Sequence, residues 1–228
     1  MGVVFQSERH KCRIGATNCG DFEPASRASE IRADARGSGA HGKEWGNLKT
    51  IQNREVIGDW LTKRGLLGMV VEIGVMHGGF SRMVLNQWRG REYVMVDLWA
   101  RQDPSVYKER TDDVPYDLKY LDCVQVAKEF PIVRMVRDFS VNAAKQFKDE
   151  SLDWVFIDAN HSFDAVTEDM DAWFPKLKKG GLFSGHDYMN NTTWPHFCEV
   201  KSAVDKWMLS KNLEFVTTPC SSWWTIKH

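Results

Sequence analysis

A glycine turn between two apolar runs is the feature that most constrains the fold of this chain. The run VVEIGVMHGGFS, residues 70–81, has the pattern of a buried strand, a glycine turn and the start of a helix. The run YVMVDLW, residues 93–99, has the pattern of a second buried strand that ends on an acid, Asp97. A strand, a glycine turn, a helix and a strand with a terminal acid, in this order, are typical of α/β folds with a parallel sheet.

The same unit predicts a binding site for the ribose end of a nucleotide-like cofactor. Glycines let the backbone approach a ligand, the helix start offers free N–H groups, and Asp97 can accept hydrogen bonds from ribose hydroxyls. Glu72 stands two residues before Gly74, where a dinucleotide-binding unit has another small residue. Because this turn also lacks a Gly-x-Gly-x-x-Gly run, the pattern points away from NAD and toward S-adenosylmethionine.

Size, charge and cysteine content restrict the class of protein. A chain of 228 residues can bury one sizeable core, and its formal net charge of −1 provides no basic field to attract nucleic acid. No apolar run reaches membrane-spanning length, and the first residues lack the layout of a signal peptide. Five scattered cysteines favour reduced thiols. We therefore expect a cytoplasmic protein without nucleic-acid or membrane partners. Such a protein can also form a homo-oligomer.

Hydrophobic periodicity divides the chain into an arm and one domain. Residues 1–43 read as a polar, partly disordered arm, and residues 44–228 as the domain. Within the domain, helices are predicted over 45–64, 79–88, 117–130, 141–147, 164–177 and 200–209. Strands are predicted over 69–74, 92–97, 132–136, 152–158, 182–185, 214–217 and 222–226. We expect an α/β, Rossmann-like sheet of seven strands, mostly parallel, with helices on both faces and a C-terminal antiparallel hairpin.

Polar residues follow four of the predicted strands, where ligands bind in open parallel sheets. The candidate cofactor contacts are Glu72, Gly74, His77, Gly78, Gly79 and Ser81 from strand one, Asp97, Leu98 and Trp99 from strand two, Asp138, Phe139 and Ser140 from strand three, and Asp158 from strand four. Two of these have a structural alternative. Asp138 can instead cap the next helix, and Trp99 can instead belong to the core.

From about residue 45 to 227 the chain resembles class I S-adenosylmethionine-dependent methyltransferases. It is most similar to a branch with patterns like FIDANHSFDAV and GGLFSGHDY, which stand here at 156–166 and 180–188. Glu72-Ile73-Gly74 matches the family's first motif and Asp97 its ribose-binding acid, while Gly78-Gly79 replaces the commoner pair of small residues. The branch includes sugar and small-molecule O-methyltransferases. The resemblance thus implies S-adenosylmethionine as the cofactor and O-methylation of a sugar, a rhamnose-like glycan or a small hydroxylated molecule.

A hydroxyl acceptor needs help to lose its proton near neutral pH. Asp158 and His161 follow strand four, and His186 and Asp187 follow strand five, so adjacent strand ends should bring these side chains together. Asp158, His161 and His186 are the catalytic candidates. In one mechanism Asp158, His186 and Asp187 hold Mg²⁺ or another divalent cation, as acids at similar positions in related enzymes imply. In those relatives a second acid or Asn stands where His186 stands here. In the other mechanism His161 or His186 is the general base.

Two segments, 100–116 and 188–198, are candidate acceptor loops. They mix aromatic and hydrogen-bonding side chains, which suits a sugar or an aromatic alcohol: Arg101, Tyr107, Tyr188, Asn190, Asn191, Trp194 and His196.

Three other functions compete with O-methylation. N-methylation of nucleic-acid bases usually accompanies an Asn/Asp-Pro-Pro-aromatic run after strand four, where this chain has Asp158-Ala159-Asn160-His161. A non-catalytic cofactor-binding module of a glycan-modifying assembly is disfavoured by the intact Asp158, His161 and Asp187. A nicotinamide dehydrogenase is disfavoured by Glu72.

Overall fold

A computed structural model describes residues 51–103, 105, 113–193 and 197–228 of the chain. The predicted arm and its boundary at residues 43 and 44 lie outside these residues. Within the described part, no helix is both long and apolar enough to cross a membrane.

One seven-stranded sheet organises the fold, as predicted. Its strands are β1 Met69–Ile73, β2 Glu92–Asp97, β3 Val133–Arg137, β4 Leu152–Ile157, β5 Leu177–Gly185, β6 Val216–Thr217 and β7 Trp223–Ile226. They lie in the order β3-β2-β1-β4-β5-β7-β6. The first five are parallel, whereas β7 is antiparallel to both β5 and β6. This confirms the Rossmann-like fold class and its C-terminal hairpin.

Helices cover both faces of the sheet because the central strands are apolar on both sides. All six residues of β4 are buried, for example. One face packs against α1 Ile57–Lys63, α2 Gly79–Gln87 and α3 Tyr116–Glu129. The other face packs against α4 Ser140–Ala144, α5 Phe163–Trp173 and α6 Val200–Ser210. Successive residues of β1 alternate between the two cores, with Val70 in the first and Val71 in the second.

The chain reverses its winding between β1 and β4. It proceeds outward from β1 to β2 and β3, and then returns to place β4 on the other side of β1. The carboxyl ends of β1 and β4 therefore border the crevice in which open α/β sheets bind ligands.

Several element boundaries differ from the sequence prediction. The helix predicted over 45–64 begins, within the described residues, as a 3₁₀ turn at Arg54–Val56, and α1 follows it. The helix predicted over 164–177 ends at Trp173, and a 3₁₀ turn follows that contains Pro175, which has no N–H to donate.

Strand five also starts earlier than predicted. Gly180 and Gly181 lie inside β5 instead of forming a turn before it. Gly180 has φ +76°, and the pairing register between β4 and β5 shifts near this point, which identifies a bulge.

Candidate active site

Asp97, at the end of β2, closes the glycine turn. Its Oδ2 accepts hydrogen bonds from the backbone N–H groups of Val75 and Met76, at 2.8 and 2.9 Å. Its Oδ1 accepts another from the N–H of Trp99, at 2.8 Å. A carboxylate has about four acceptor sites, so partly exposed Asp97 can still accept from a ligand.

Gly74 lies where β1 touches its two neighbouring strands. Its N–H donates to the carbonyl of Val96 at 2.9 Å, and the N–H of Asp158 donates to the carbonyl of Ile73 at 2.8 Å. Gly74 has φ +82°, and a Cβ built on it would overlap the carbonyl oxygen of Asp158. Glycine is therefore required here on both conformational and steric grounds.

Glu72 is buried beneath the turn. Its Oε2 accepts hydrogen bonds from the hydroxyls of Ser81 and Tyr93, the latter at 2.6 Å. Burial raises the pKa of Glu72 to about 8, because desolvation and the charges of Asp158 and Asp97 outweigh these hydrogen bonds. Glu72 and the fully buried Ser81 hence support the turn from below.

The other candidates from the first two strands take different positions. His77 turns toward α3, where its Nδ1 lies 2.8 Å from Oδ2 of Asp122. Trp99 is a core residue, since its side chain is buried and its Nε1 donates to the carbonyl of Met76 at 3.1 Å. The backbone carbonyl of Leu98 accepts a hydrogen bond from the side-chain Nε of Arg137 at 3.2 Å.

Gly78 and Gly79 form the start of α2. Gly78 is the N-cap residue, with φ +73°. None of the described atoms lies within 4 Å of a Cβ built on Gly79, so the first turn of the helix is open to a ligand on this side.

The residues after β3 divide between surface and core. Phe139 is 55 % exposed and is the N-cap residue of α4. Asp138 lies one position before this cap and accepts the N–H of Phe139 at 2.7 Å. Ser140 faces inward, where its hydroxyl accepts from Nε1 of Trp173 at 2.9 Å. Of the three, the ring of Phe139 is the most accessible to a ligand.

Asp158, His161 and Asp187 form a cluster beyond the ends of β4 and β5. One ligand atom from each lies within 4.8 Å of the others. Nε2 of His161 lies 3.2 Å from Oδ2 of Asp187 and 3.5 Å from Oδ1 of Asp158. Nδ1 of His186 lies 3.0 Å from Oδ1 of Asp187. His161 thus lies close to both acids, whereas His186 contacts the other carboxylate oxygen of Asp187.

Asp187 remains a carboxylate in these surroundings. Burial alone would raise its pKa, but the hydrogen bond and charge of His186, with the charges of His161 and Arg54, lower it below the usual value. An ionised Asp187 can hold a cation.

Arg54 is part of this site although the sequence patterns do not indicate it. Its Nη1 lies 3.4 Å from Oδ2 of Asp158, and its guanidinium lies over the ring of Phe80, 5.4 Å from the centroid. Arg54 comes from the 3₁₀ turn before α1, whereas the site residues predicted from the sequence follow strands. The predicted helix over 45–64 gave no signal that would single it out.

Several proposed acceptor contacts are engaged within the fold. The hydroxyl of Tyr188 donates to Asp205 at 2.5 Å, and the side-chain amide of Asn190 donates to Ser202 at 2.9 Å. Asn191 accepts the N–H of Thr193 at 3.0 Å. Arg101 is exposed, and Tyr107, Trp194 and His196 lie outside the described residues.

Comparison with known proteins identifies the family. The methyltransferase-domain family matches residues 71–188, just over half of the chain. This match covers both strand ends that carry the site. The chain therefore belongs to this family and is an S-adenosylmethionine-dependent methyltransferase. No curated protein matches the chain significantly.

Solved structures show the same fold at low sequence identity. The O-methyltransferase NovP has a TM-score of 0.53 at 19 % identity, over 79 % of this chain and 78 % of its own. A Corynebacterium glutamicum protein has a TM-score of 0.53 at 13 % identity, over 82 % and 86 %. A Klebsiella pneumoniae protein, described provisionally as an O-methyltransferase, has a TM-score of 0.52 at 12 % identity, over 87 % and 94 %.

The residues present fit the methyl donor and form a candidate site for a divalent cation. For the methyl donor, the open start of α2 at Gly79 offers backbone N–H groups, and Asp97 offers acceptors for ribose hydroxyls. For a divalent cation, Asp158 and Asp187 supply hard oxygen ligands and His161 a nitrogen ligand.

Proposed function

We propose that this methyltransferase methylates a hydroxyl group of a sugar, a rhamnose-like glycan or another small hydroxylated molecule. The observation that carries the proposal is the convergence of Asp158, His161 and Asp187 beside the glycine turn. Gly74 of that turn packs directly against the backbone of Asp158. The groups that would handle the acceptor therefore lie next to the groups that would bind the donor.

In the version we favour, Asp158, His161 and Asp187 hold a divalent cation. A bound cation would supply Lewis acidity that lowers the pKa of an acceptor hydroxyl. His186 would position Asp187 through the 3.0 Å contact to Oδ1, which leaves Oδ2 directed toward His161. Alignment of the acceptor with the donor methyl group would complete the task, because that methyl group is already activated.

In the second version His161 acts as the general base. Its Nε2 faces a carboxylate oxygen of both Asp158 and Asp187, and these two negative charges would stabilise the imidazolium formed when it takes the acceptor proton. Both versions use the same three side chains. They differ in whether a chelator abolishes the reaction.

The acceptor is proposed to be a small molecule or glycan, with neither nucleic acid nor membrane as a partner. The formal net charge of −1 supports the exclusion of nucleic acid. Cys123 and Cys220 carry free thiols, which supports a reducing, cytoplasmic location.

Calorimetric titration with S-adenosylhomocysteine, repeated with Mg²⁺ and with a chelator, is the first test. We expect binding in all conditions, because the donor contacts do not involve the cation. A screen of rhamnose-like glycans and phenols with a labelled methyl donor should then give product that disappears with chelator. Product that persists with chelator would leave His161 as the base. Transfer to amines but not to hydroxyls would contradict the proposal.

A further inference from the structure

Arg54 places a positive charge on a carboxylate that we assign to cation binding. Its Nη1 lies 3.4 Å from Oδ2 of Asp158, while Oδ1 of the same carboxylate faces Nε2 of His161 at 3.5 Å. The side chain of Asp158 is 23 % exposed and that of Arg54 is 34 % exposed, so solvent screens this pair only in part.

The backbone around Arg54 is fixed against α2. The side chain of Asn53 accepts the N–H of Glu55 at 3.0 Å, which caps the 3₁₀ turn. Nε2 of Gln87 donates to the carbonyl of Glu55 at 2.7 Å and ties the same turn to the end of α2. These two bonds hold Arg54 at the entrance to the site.

The guanidinium rests on an aromatic platform. It lies over Phe80, whose ring stacks on that of Phe156 with centroids 4.5 Å apart and an interplanar angle of 30°. Contact with an aromatic face stabilises a guanidinium without using its N–H donors. The platform therefore keeps Arg54 close to Asp158 whether or not the carboxylate bonds to it.

The contact between Arg54 and Asp158 is weak by the standard of charge-assisted hydrogen bonds. Such bonds are usually about 2.7–2.9 Å long, and this one is 3.4 Å. A second carboxylate, Glu55, lines the same small cleft of about 180 Å³ as Arg54.

We propose that Arg54 is the internal counter-ion of Asp158 in the ion-free enzyme, and that a divalent cation competes with it for this carboxylate. The inference rests on the proposed function, in which Asp158, His161 and Asp187 hold the cation. Arg54 then sets the concentration at which the cation binds. It is a positioning residue, since it acts through Asp158.

Binding of Mn²⁺ to the full chain, followed by the electron paramagnetic resonance signal of free Mn²⁺, tests the proposal. Arg54→Met removes the charge but keeps an apolar stem over Phe80. We expect it to bind Mn²⁺ about tenfold more tightly than the wild type, because the cation no longer has to break a partly screened ion pair to reach Asp158. Arg54→Lys keeps the charge and should remain within about threefold of the wild type.

Two further variants separate this effect from a general one. Asp158→Asn should weaken Mn²⁺ binding, and adding Arg54→Met to it should give no further change, because the two residues act on one carboxylate. Arg64→Met is the matched control. Its guanidinium lies over the ring of Trp60 at 5.1 Å in α1, so it loses the same type of contact away from Asp158. It should bind Mn²⁺ as the wild type does.

Three outcomes would overturn the proposal, and they differ in what they leave standing. Equal Mn²⁺ affinity in the wild type and Arg54→Met, with weaker binding by Asp158→Asn, would refute the role of Arg54 and leave the cation site intact. If S-adenosylhomocysteine binds but neither the wild type nor any variant binds Mn²⁺, the cation site and the role of Arg54 are both refuted. His161 then remains as the proposed base. Loss of S-adenosylhomocysteine binding by both Arg54 variants would show a purely structural role.

Discussion

The donor side and the acceptor side of this site are built in opposite ways. On the proposed donor side, Asp97 accepts hydrogen bonds from three backbone N–H groups at 2.8–2.9 Å. Glu72 is buried there and accepts hydrogen bonds from two hydroxyls. On the proposed acceptor side, Nε2 of His161 lies 3.2 Å from Asp187 and 3.5 Å from Asp158, and all three side chains are ionisable. In the first arrangement, hydrogen bonds within the fold hold both carboxyl groups in place. The second consists of charges that can exchange one partner for another, as a site that handles protons or cations requires.

Removal of an acceptor-side charge should abolish turnover and spare the fold. We expect Asp158→Asn to lower the rate of methyl transfer by about 10²–10⁴-fold, because either mechanism loses a group that acts on the acceptor proton. The melting temperature should stay within about 2 °C, since the backbone N–H of Asp158 keeps its bond to Ile73. Asp149→Asn, which removes a surface ion pair with Lys176, is the control and should retain full rate. Full activity of Asp158→Asn would show that the acceptor side is misassigned.

A donor-side substitution should affect stability as well as binding. Asp97→Ala leaves three backbone N–H groups without their carboxylate, and we expect a loss of about 3 kcal/mol in the free energy of unfolding. Affinity for S-adenosylhomocysteine should fall with it. Asp138→Ala, which removes the acceptor for a single neighbouring N–H, should cost less than about 1 kcal/mol. Urea unfolding and calorimetry of both variants would decide. Equal stability of the two variants would show that the three hydrogen bonds of Asp97 stabilise the fold no more than the single one of Asp138.

The buried carboxyl of Glu72 should make the stability depend on pH. Its pKa of about 8 in the folded protein lies above its ordinary value of 4.5, so the folded state binds more protons between these pH values. Stability should therefore fall as pH rises through this window, by about 1.4 kcal/mol per unit at most from this group.

Glu72→Gln should remove that contribution. Urea unfolding between about pH 5.5 and 7.5 should show a smaller loss of stability with rising pH in the variant than in the wild type. Glu129→Gln, on the surface of α3 and paired with Arg82 at 2.9 Å, should keep the wild-type slope. If Glu72→Gln also keeps it, Glu72 ionises without penalty and is more hydrated than its burial indicates.

The smallest effect is expected at the open start of α2. Gly79→Ala meets no described atom within 4 Å of its new Cβ, and its free energy of unfolding should change by less than about 0.5 kcal/mol. Gly78→Ala should cost about 1–2 kcal/mol, because Gly78 has φ +73° and its Cβ would lie 3.1 Å from the side chain of Val126. Thermal unfolding of the two variants tests the difference. If Gly79→Ala nevertheless weakens S-adenosylhomocysteine binding, the ligand approaches this backbone closely.

The sequence predicted the strand framework well because the central strands are apolar on both faces. The bounds of β2 agree with the predicted 92–97, and β1 and β4 each end one residue before the predicted strand does. The start of β5 was missed because Gly180 and Gly181 have the composition of a turn. Leu177 before them pairs with Leu152 of β4, and both glycines form backbone hydrogen bonds with Lys227, which keeps them in the strand. Tertiary pairing overrides local preference at such points.

The sequence predicted the positions of the site residues along the chain better than the directions in which their side chains point. Strand ends indicated that Asp158 and Asp187 lie close together, and that Asp97 lies at the glycine turn. The inward rotation of Ser140 depends on a buried indole that only the fold brings near. His161 lies beside both acids whereas His186 contacts Asp187, and no sequence pattern specifies these side-chain directions. Arg54 had no strand-end signal at all. The functional roles of these residues stay predictions.

The contact between Gly74 and Asp158 bears on how acceptor preference can diverge in this chain. The donor turn and the acceptor acid touch through their backbones, with no side chain between them to lengthen or shorten. The spacing between the two halves of the site is thus fixed by the sheet. Under the proposed function, a new acceptor would be accommodated by substitutions in the segments that follow the strands, while the spacing set by this backbone contact would be inherited unchanged.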